Sequence, residues 1–342
     1  MIIVNENAKD QQAGLEIILA SRPVGRPNVE NFTLVPSHLR DLADGEVLVR
    51  NLFMSVDPYM RGRMNDAASY VSPFTLHGAI DGAAVGEVIA SRADGFSIGD
   101  MVFSMHGWRE KFIAMPGELR RISREVPSLS VYLGALGMTG MTAWAGLKLA
   151  HLKAGETIYV SAAAGAVGTV VGQLAKIYGG RVIGSAGSAK KVEFLRRECH
   201  FDDAFNYHDG LISDQLKRIA PKGIDVYFDN VGGETLEAAI TALNVHGRII
   251  ACGGISRYND EIAQPGPNNL MQMVSKRLTM TGLLVGDWQD RRPEFEAEMG
   301  GYLRDGRVKN HETVVNGIGQ AVSAFLGLFA GENTGKMVVR LD

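Results

Sequence analysis

A glycine-spaced turn at 162–168 (AAAGAVG) carries the residue types that most directly indicate chemistry. It follows an apolar run, 157–161, and precedes a helical pattern, which is the context of a dinucleotide-binding turn with Ala at the first glycine position. Gly165 would let the backbone approach a pyrophosphate, and Gly168 would let helix and strand pack closely. The free N–H groups of the helix would face the phosphates; close packing alone is the alternative. The predicted cofactor contacts in this turn are Ala163, Gly165, Ala166, Val167 and Gly168.

The next strand end indicates which nicotinamide cofactor binds. An NAD site places Asp or Glu about 20 residues after the first glycine position, where it bonds the ribose 2′-hydroxyl. The segment 181–191 (RVIGSAGSAKK) has no acid there and offers Gly187, Ser188, Lys190 and Lys191 instead. Lysine and hydroxyl groups attract a 2′-phosphate, so we predict NADPH/NADP+. The alternative is that both lysines are solvated residues in the first turn of a helix.

The cysteine and histidine pattern does not predict a metal site. A catalytic zinc needs three protein ligands, and a structural zinc is often held by four cysteines. The chain has two cysteines, Cys199 in a helical run and Cys252 in an apolar strand, and neither has a partner at ligand spacing. The eight histidines are scattered and form no HxxxH pair. We therefore expect no metal and interpret both cysteines as small buried hydrophobic residues.

Composition excludes several classes of function. The net charge is −3 over 342 residues and no basic block is present, so we expect no nucleic-acid partner. No apolar run is long enough to span a membrane, and the N-terminus turns polar after four residues, unlike a signal peptide. We therefore predict a cytoplasmic protein with no membrane partner. Glycine is frequent, 41 of 342 residues, as in α/β proteins that bind nucleotides.

Two rhythms of secondary structure divide the chain. Residues 1–130 contain short strands separated by turns, which is typical of a small barrel or sandwich. From about 130, strands alternate with helices, which predicts a doubly wound parallel sheet and an α/β fold. The last apolar run, 335–341, is expected to rejoin the β-rich region. We therefore predict a discontinuous β-rich domain at 1–130 and 305–342, and a nucleotide-binding domain at 131–304.

Seven motifs are spread over nearly the whole chain. They are 54–61 (MSVDPYMR), 136–144 (LGMTGMTAW), 162–168 (AAAGAVG), 205–207 (FNY), 228–233 (FDNVGG), 252–259 (CGGISRYN) and 331–336 (GENTGK). In this order they resemble those of the zinc-independent medium-chain dehydrogenases/reductases, in the branch of prostaglandin or leukotriene reductases, alkenal double-bond reductases and curcumin-reductase-like enzymes. This resemblance implies a GroES-like domain interrupted by a Rossmann domain. It also implies a homodimer.

The resemblance also implies roles for single residues. Lys191 matches the lysine that binds the 2′-phosphate, and Tyr207 matches the tyrosine that closes on the same group. Tyr258 stands where the family has a hydroxyl near the substrate carbonyl, and Tyr59 resembles an aromatic residue lining the substrate pocket. Thr139 and Trp144 replace the family's usual proline and tyrosine. The implied cofactor contacts outside the glycine turn are Met138, Thr142, Gly187, Ser188, Lys191, Tyr207, Asn230, Cys252 and Asn333.

The implied reaction is the NADPH-dependent reduction of the C=C bond of an α,β-unsaturated aldehyde or ketone. Hydride would reach the β-carbon, and the Tyr258 hydroxyl would stabilise the enolate oxygen and supply a proton as the catalytic acid. The cofactor's ribose hydroxyl is an alternative donor, and a loop tyrosine bonded only to backbone is the structural alternative. Two other functions stay open: an NADPH quinone oxidoreductase, and a non-catalytic NADPH-binding protein.

Overall fold

The computed structural model describes residues 13–341. Residues 1–12, on which the prediction that a signal peptide is absent was based, lie outside the described part. The strands are β1 Ala13–Leu19, β2 Phe32–His38, β3 Val47–Ser55, β4 Ala84–Ser91, β5 Met101–Ser104, β6 Lys111–Ala114, β7 Arg120–Arg121, β8 Thr157–Val160, β9 Arg181–Ala186, β10 Asp203–Asn206, β11 Ile224–Asp229, β12 Leu243–Ala251, β13 Thr279–Gly282, β14 Glu312–Asn316 and β15 Lys336–Arg340. The α-helices are Met60–Arg63, Met138–Ala150, Ala166–Ile177, Ala189–Arg197, Ile212–Ile219, Gly233–Ala242, Gln272–Ser275, Arg292–Arg304 and Ala321–Ala330.

The chain separates into two compact units. Unit 1 runs to Leu133 and resumes over Val314–Glu332 and from Met337 onward, whereas unit 2 comprises Gly134–Thr313 and Asn333–Lys336. The sequence predicted exchanges at 130/131 and 304/305, three and nine residues earlier. The assignment of these two parts as domains stays a prediction.

Unit 1 is built on an antiparallel sheet. Its strands run in the order β14-β15-β3-β4-β5-β7, with β6 also paired to β3, and β1 and β2 form a separate hairpin. The C-terminal strand β15 pairs with β3, so the last apolar run does rejoin the N-terminal β region. The core of this unit includes Phe32, Trp108 and Phe325, whose rings lie about 6.0 Å apart.

Unit 2 contains a six-stranded parallel sheet in the order β10-β9-β8-β11-β12-β13. Numbered within the sheet, this is the order 3-2-1-4-5-6 of the doubly wound nucleotide-binding fold. The direction of winding reverses between β8 and β11, and a crevice at the carboxyl ends of these strands is where ligands bind in such sheets. The predicted α/β fold with a β-rich part and a Rossmann-like part is confirmed.

Some predicted strands were too long at their ends. The apolar run 157–161 forms β8, which stops at Val160 because Ala162 adopts a positive φ of 46° that begins the glycine turn. Cys252 was expected in an apolar strand, but β12 stops at Ala251, so Cys252 follows the strand and does not lie in it. Cys199 likewise follows its helix, which ends at Arg197. Apolar composition alone does not mark where the main chain turns.

Candidate active site

The glycine turn after β8 is held by a bond to the neighbouring strand β9 and by a bond within the turn. Ala163 N–H donates to Ser185 O (2.9 Å), and Gly165 N–H donates to Ala162 O (2.9 Å). A Cβ atom on Gly168 would lie 2.6 Å from both Ala162 O and Ala163 Cα, so only glycine fits. The helix Ala166–Ile177 begins directly after Gly165, with no side-chain cap over its first N–H groups. This is a turn in which backbone N–H groups face the crevice at the carboxyl edge.

A segment from near the C-terminus packs against this turn. Gly335 N–H donates to Ala164 O (2.8 Å), and Gly165 forms a parallel bridge with Gly335. The Asn333 side-chain amide donates to Gly335 O (2.7 Å), which fixes the conformation of the segment. The structure therefore brings Asn333 beside the glycine turn, although Asn333 lies 169 positions after Ala164 in the sequence.

The residues after β9 form a polar, partly covered turn. Ser188 caps the helix Ala189–Arg197, and its hydroxyl accepts from Lys191 N–H (3.3 Å). Tyr207, at the end of the neighbouring β10, packs its hydroxyl 2.8 Å from the place a Cβ on Gly187 would occupy. Lys191 is half-buried and Lys190 is exposed. Burial lowers the pKa of the Lys191 amine because it disfavours the charged form. A phosphate beside the amine would offset this effect.

The turn after β11 depends on two residues that the sequence analysis did not select, Ser161 and Asp229. Asn230 N–H donates to Ser161 Oγ (3.0 Å), and the Asn230 amide donates to Ser161 O (2.8 Å). Asp229 is only 2% exposed, and its Oδ1 accepts from Tyr227 Oη (2.6 Å), Val231 N–H (2.9 Å) and Gly232 N–H (2.8 Å). Burial raises the pKa of Asp229. The sequence signal that could have identified Ser161 and Asp229 is a polar residue at the end of each of two adjacent strands.

Asp229 also connects to the turn after β12. Its main-chain carbonyl accepts from Cys252 N–H (2.9 Å) and Gly253 N–H (3.0 Å). The pKa of the Cys252 thiol is raised to about 12 by burial and by the nearby Asp229 carboxylate, so the thiol stays protonated. Tyr258 follows on a short 3-10 turn, Ile255–Arg257, and its hydroxyl accepts from Gly254 N–H at a long 3.4 Å.

The helix Met138–Ala150 carries two further predicted cofactor contacts. Met138 is its first residue and partly exposed, and the Thr142 hydroxyl donates to Met138 O (2.8 Å). Thr139, the residue in place of the family's proline, is buried and donates to Gly134 O (3.1 Å). The polar groups of both threonines are therefore used to hold the beginning of this helix.

Trp144, the other departure from the family pattern, is fully buried on the same helix. Its indole N–H donates to Glu298 (2.8 Å), which also accepts from Tyr178 Oη (2.8 Å). The ring contacts Trp288 edge-on, with the ring centroids 5.9 Å apart. Trp144 thus joins the helix Met138–Ala150 to the helix Arg292–Arg304.

Tyr59 lies in unit 1, next to the short helix Met60–Arg63. It is half-buried and packs against the main apolar core of that unit. Burial, with the nearby Asp57 carboxylate, raises the pKa of its hydroxyl. Its place in a substrate pocket stays a prediction.

The predicted residues of unit 2 thus divide into two groups. The carboxyl ends of five neighbouring strands, β10, β9, β8, β11 and β12, hold most of them at one edge of the sheet. Met138 and Thr142 instead begin a helix. The group at the strand ends comprises Ala163, Gly165, Ala166, Val167, Gly168, Gly187, Ser188, Lys191, Tyr207, Asn230, Cys252 and Tyr258, with Asn333 bonded alongside.

Potential metal ligands are dispersed over residues 13–341, where no group of three or more His, Cys, Asp or Glu side chains could hold an ion. Both cysteines are free thiols. A zinc ion therefore has no fitting ligand set in the described part of the chain. Within the same residues, no helix is long and apolar enough to cross a membrane.

Two family models match the chain. Residues 16–122 match the N-terminal domain of oxidoreductase, and residues 166–299 match the zinc-binding dehydrogenase model. The chain is 43% identical to a putative NADP-dependent oxidoreductase, YfmJ, of Bacillus subtilis, covering 96% of this chain and 97% of that protein. It is 41% identical to the NADP+-dependent 2-alkenal reductase of Nicotiana tabacum, covering 97% and 99% of the two chains.

The chain belongs to the medium-chain dehydrogenase/reductase family. Within that family it falls in the branch that includes curcumin, alkenal and prostaglandin reductases, as the resemblance indicated. A crystal structure of CurA from Vibrio vulnificus in complex with NADPH is similar, with a TM-score of 0.92 and 40% identity over 96% of this chain and 99% of that one. The description of the second family model mentions zinc, but the described residues of this family member do not supply its ligands.

Proposed function

We propose that this protein reduces the C=C bond of α,β-unsaturated aldehydes or ketones and that it uses NADPH. The observation that carries the proposal is the turn after β9, which has a half-buried lysine and a serine hydroxyl and no carboxylate. The named activities of the alkenal and curcumin reductases in the same branch support the class of substrate.

The residues present fit a dinucleotide. Gly168 leaves room for the close approach of helix and strand, and the uncapped helix start after Gly165 suits a pyrophosphate. Lys191, with Ser188 and Tyr207 beside it, would hold the 2′-phosphate. Bound NADPH would supply the hydride. The remaining proposed contacts are Met138, Thr142, Ala163, Ala166, Val167, Gly187, Asn230, Cys252 and Asn333.

Tyr258 is the proposed catalytic acid. Reduction at the β-carbon leaves negative charge on the substrate's carbonyl oxygen, which a hydroxyl donor stabilises. The Tyr258 hydroxyl accepts a long bond from Gly254 N–H, in the loop that follows the carboxyl end of β12, the edge at which ligands bind in such sheets. The same hydroxyl can then deliver the proton that completes the reduction.

The experiment measures NADPH and NADH oxidation with a simple enone, a long 2-alkenal, a curcuminoid, a quinone and a saturated ketone, with product masses. We expect NADPH-specific reduction of the enones and a product heavier by two hydrogens. Turnover of the quinone alone would identify a quinone oxidoreductase. NADPH binding with no turnover across the panel would identify a non-catalytic protein.

A matched pair of variants tests the cofactor part. Lys191→Gln should raise the KM for NADPH by about tenfold to a hundredfold, because a charge-assisted hydrogen bond of this kind contributes about 1.5–3 kcal/mol. Lys190→Gln removes the same charge from the exposed neighbour and should change KM little. Equal effects of the two substitutions would contradict the role of Lys191.

A homodimer, a metal-free site and a cytoplasmic location also belong to the proposal. The dimer is supported by β13, the last strand in the order of its sheet, where Met280 is 44% exposed, because such an edge can pair with another strand. Light scattering of the purified protein tests the dimer, elemental analysis tests the zinc content, and cell fractionation tests the location.

A further inference from the structure

An open cavity of about 390 Å³ lies beside the loop that carries Tyr258. Its lining includes Gly233, Arg257, Asp260, Gln264, Pro265 and Pro267. The volume is within the usual range for small-molecule sites, about 300–1,000 Å³. Arg257 directly precedes Tyr258 and Asp260 follows two residues later, so two residues of the lining belong to the loop that carries the proposed acid.

The loop is fixed to the end of β11. Ser256 Oγ donates to Val231 O (2.6 Å), Ile255 N–H donates to Asn230 O (3.2 Å), and Arg257 N–H donates to Gly254 O (2.8 Å). These bonds hold Arg257 and Tyr258 as consecutive residues of one short turn. Arg257 of the cavity lining and Tyr258 are therefore carried by the same fixed loop.

The Arg257 guanidinium is only partly neutralised. Its Nη1 makes one long bond, 3.4 Å, to Asp260, and the arginine side chain is 40% exposed. Its Nη2 and Nε lie 3.3 and 3.4 Å from the place a Cβ on Gly233 would take, so the glycine admits the guanidinium at this position. An exposed single ion pair of this kind contributes little, whereas a carboxylate that bonds two guanidinium N–H groups is held more strongly.

We propose that this cavity is a subsite for an anionic remote group of the substrate, and that Arg257 binds that group as a carboxylate. Arg257 is then a specificity-determining residue and Asp260 is its internal competitor. The inference rests on the proposed reduction, because it assigns the remote end of the same substrate.

The test compares an ω-carboxylated 2-alkenal with its methyl ester, over a set of increasing chain lengths. In the wild-type protein we expect a higher kcat/KM for the acid at the length that reaches Arg257. Arg257→Gln should lower the acid-to-ester ratio about fivefold, the size expected for a partly exposed charge pair. Asp260→Asn should raise the ratio, because it frees the guanidinium. Arg218→Gln, which removes a charge from an exposed position on the helix Ile212–Ile219, is the control for net charge.

Three results would overturn the subsite: an unchanged ratio in Arg257→Gln, an equal change in Arg218→Gln, or a higher KM for NADPH in Arg257→Gln with both substrates. The third would mean that the arginine serves the cofactor. Failure of the proposed reduction is distinguishable, since neither acid nor ester would then be turned over. In that case the subsite is tested by calorimetry with the saturated ω-carboxylated alcohol as the ligand. We expect weaker binding to Arg257→Gln than to the wild-type protein. Circular dichroism of each variant establishes that it is folded.

Discussion

Replacing Asp229 by alanine should destabilise unit 2, because this buried carboxylate satisfies three donors at the centre of the sheet edge. The substitution leaves Tyr227 Oη and the N–H groups of Val231 and Gly232 without their acceptor. A buried donor that loses its partner costs about 1–3 kcal/mol. Tyr227 keeps Ser161 Oγ at 3.0 Å, and the two amides are half-buried, so each of the three losses belongs near the lower limit. We expect a loss of about 3 kcal/mol in the free energy of unfolding.

Two further variants separate the contributions. Tyr227→Phe removes one donor and leaves the carboxylate bonded to both amides, so it should cost about 1 kcal/mol. Asp229→Asn keeps an oxygen acceptor for the turn and should cost less than Asp229→Ala. Because the pKa of Asp229 is raised by burial, ionisation of this group opposes folding, and the amide also removes that cost.

Urea unfolding followed by tryptophan fluorescence measures these differences in the free energy of unfolding. The change in NADPH fluorescence on binding measures the affinity for the cofactor. Asp229→Ala should weaken NADPH binding as well, since Asn230 and Cys252 are held by the same residue. Two results would refute this explanation. One is a loss of unfolding free energy in Asp229→Ala no larger than in Tyr227→Phe, and the other is the expected loss of stability in Asp229→Ala with unchanged affinity for NADPH.

Three more outcomes are expected. Gly168→Ala should abolish tight NADPH binding, because the added Cβ would overlap the backbone of Ala163; Gly319→Ala, where a Cβ meets nothing within 4 Å, is the control in the same binding assay. Tyr258→Phe should lower kcat for the alkenal by about 100-fold while KM for NADPH changes little, and an unchanged kcat would remove it as the acid. Burial would raise the pKa of Glu298, but hydrogen bonds from its neighbours outweigh it and the pKa is lowered. The carboxylate therefore stabilises the fold above about pH 4.3 and this contribution is lost as the pH falls through the folded pKa, so the stability difference between wild type and Glu298→Gln in urea should shrink in acid.

The sequence was sufficient to predict the strand–turn–helix of residues 157–177 and the polar turn after β9. Both are local patterns in which residue type and main-chain conformation are coupled within a few positions. The hairpin of β1 and β2 was not identified, because Pro36 and exposed polar residues interrupt the apolar alternation of β2. A hairpin of this kind is stabilised by what packs on one face, which a single sequence does not display.

In the candidate site, too, local patterns could be predicted from the sequence, whereas contacts between distant residues could not. Gly168 was predicted from spacing, and Lys191 from spacing together with the family resemblance. Ser161, in contrast, acts through bonds to Asn230, 69 positions away, and the Asp229 carbonyl bonds to the N–H groups of Cys252 and Gly253 in the turn after another strand. Their importance comes from burial and from which strands become neighbours, both consequences of the sheet order. Trp144 was marked in the sequence only as a departure from the family pattern, and its contacts with Glu298 and Trp288 depend on which helices pack together.

The short return of Asn333–Lys336 into unit 2 has a consequence for protein engineering. An excised nucleotide-binding piece made as a continuous segment, residues 134–313, would lack Gly335 and leave Ala164 O without its donor. It would lack Asn333 as well. Chimeras that exchange this half between relatives should therefore carry the C-terminal residues of the same parent. To make the piece on its own, a linker would replace residues 314–332 and join residue 313 to residues 333–336.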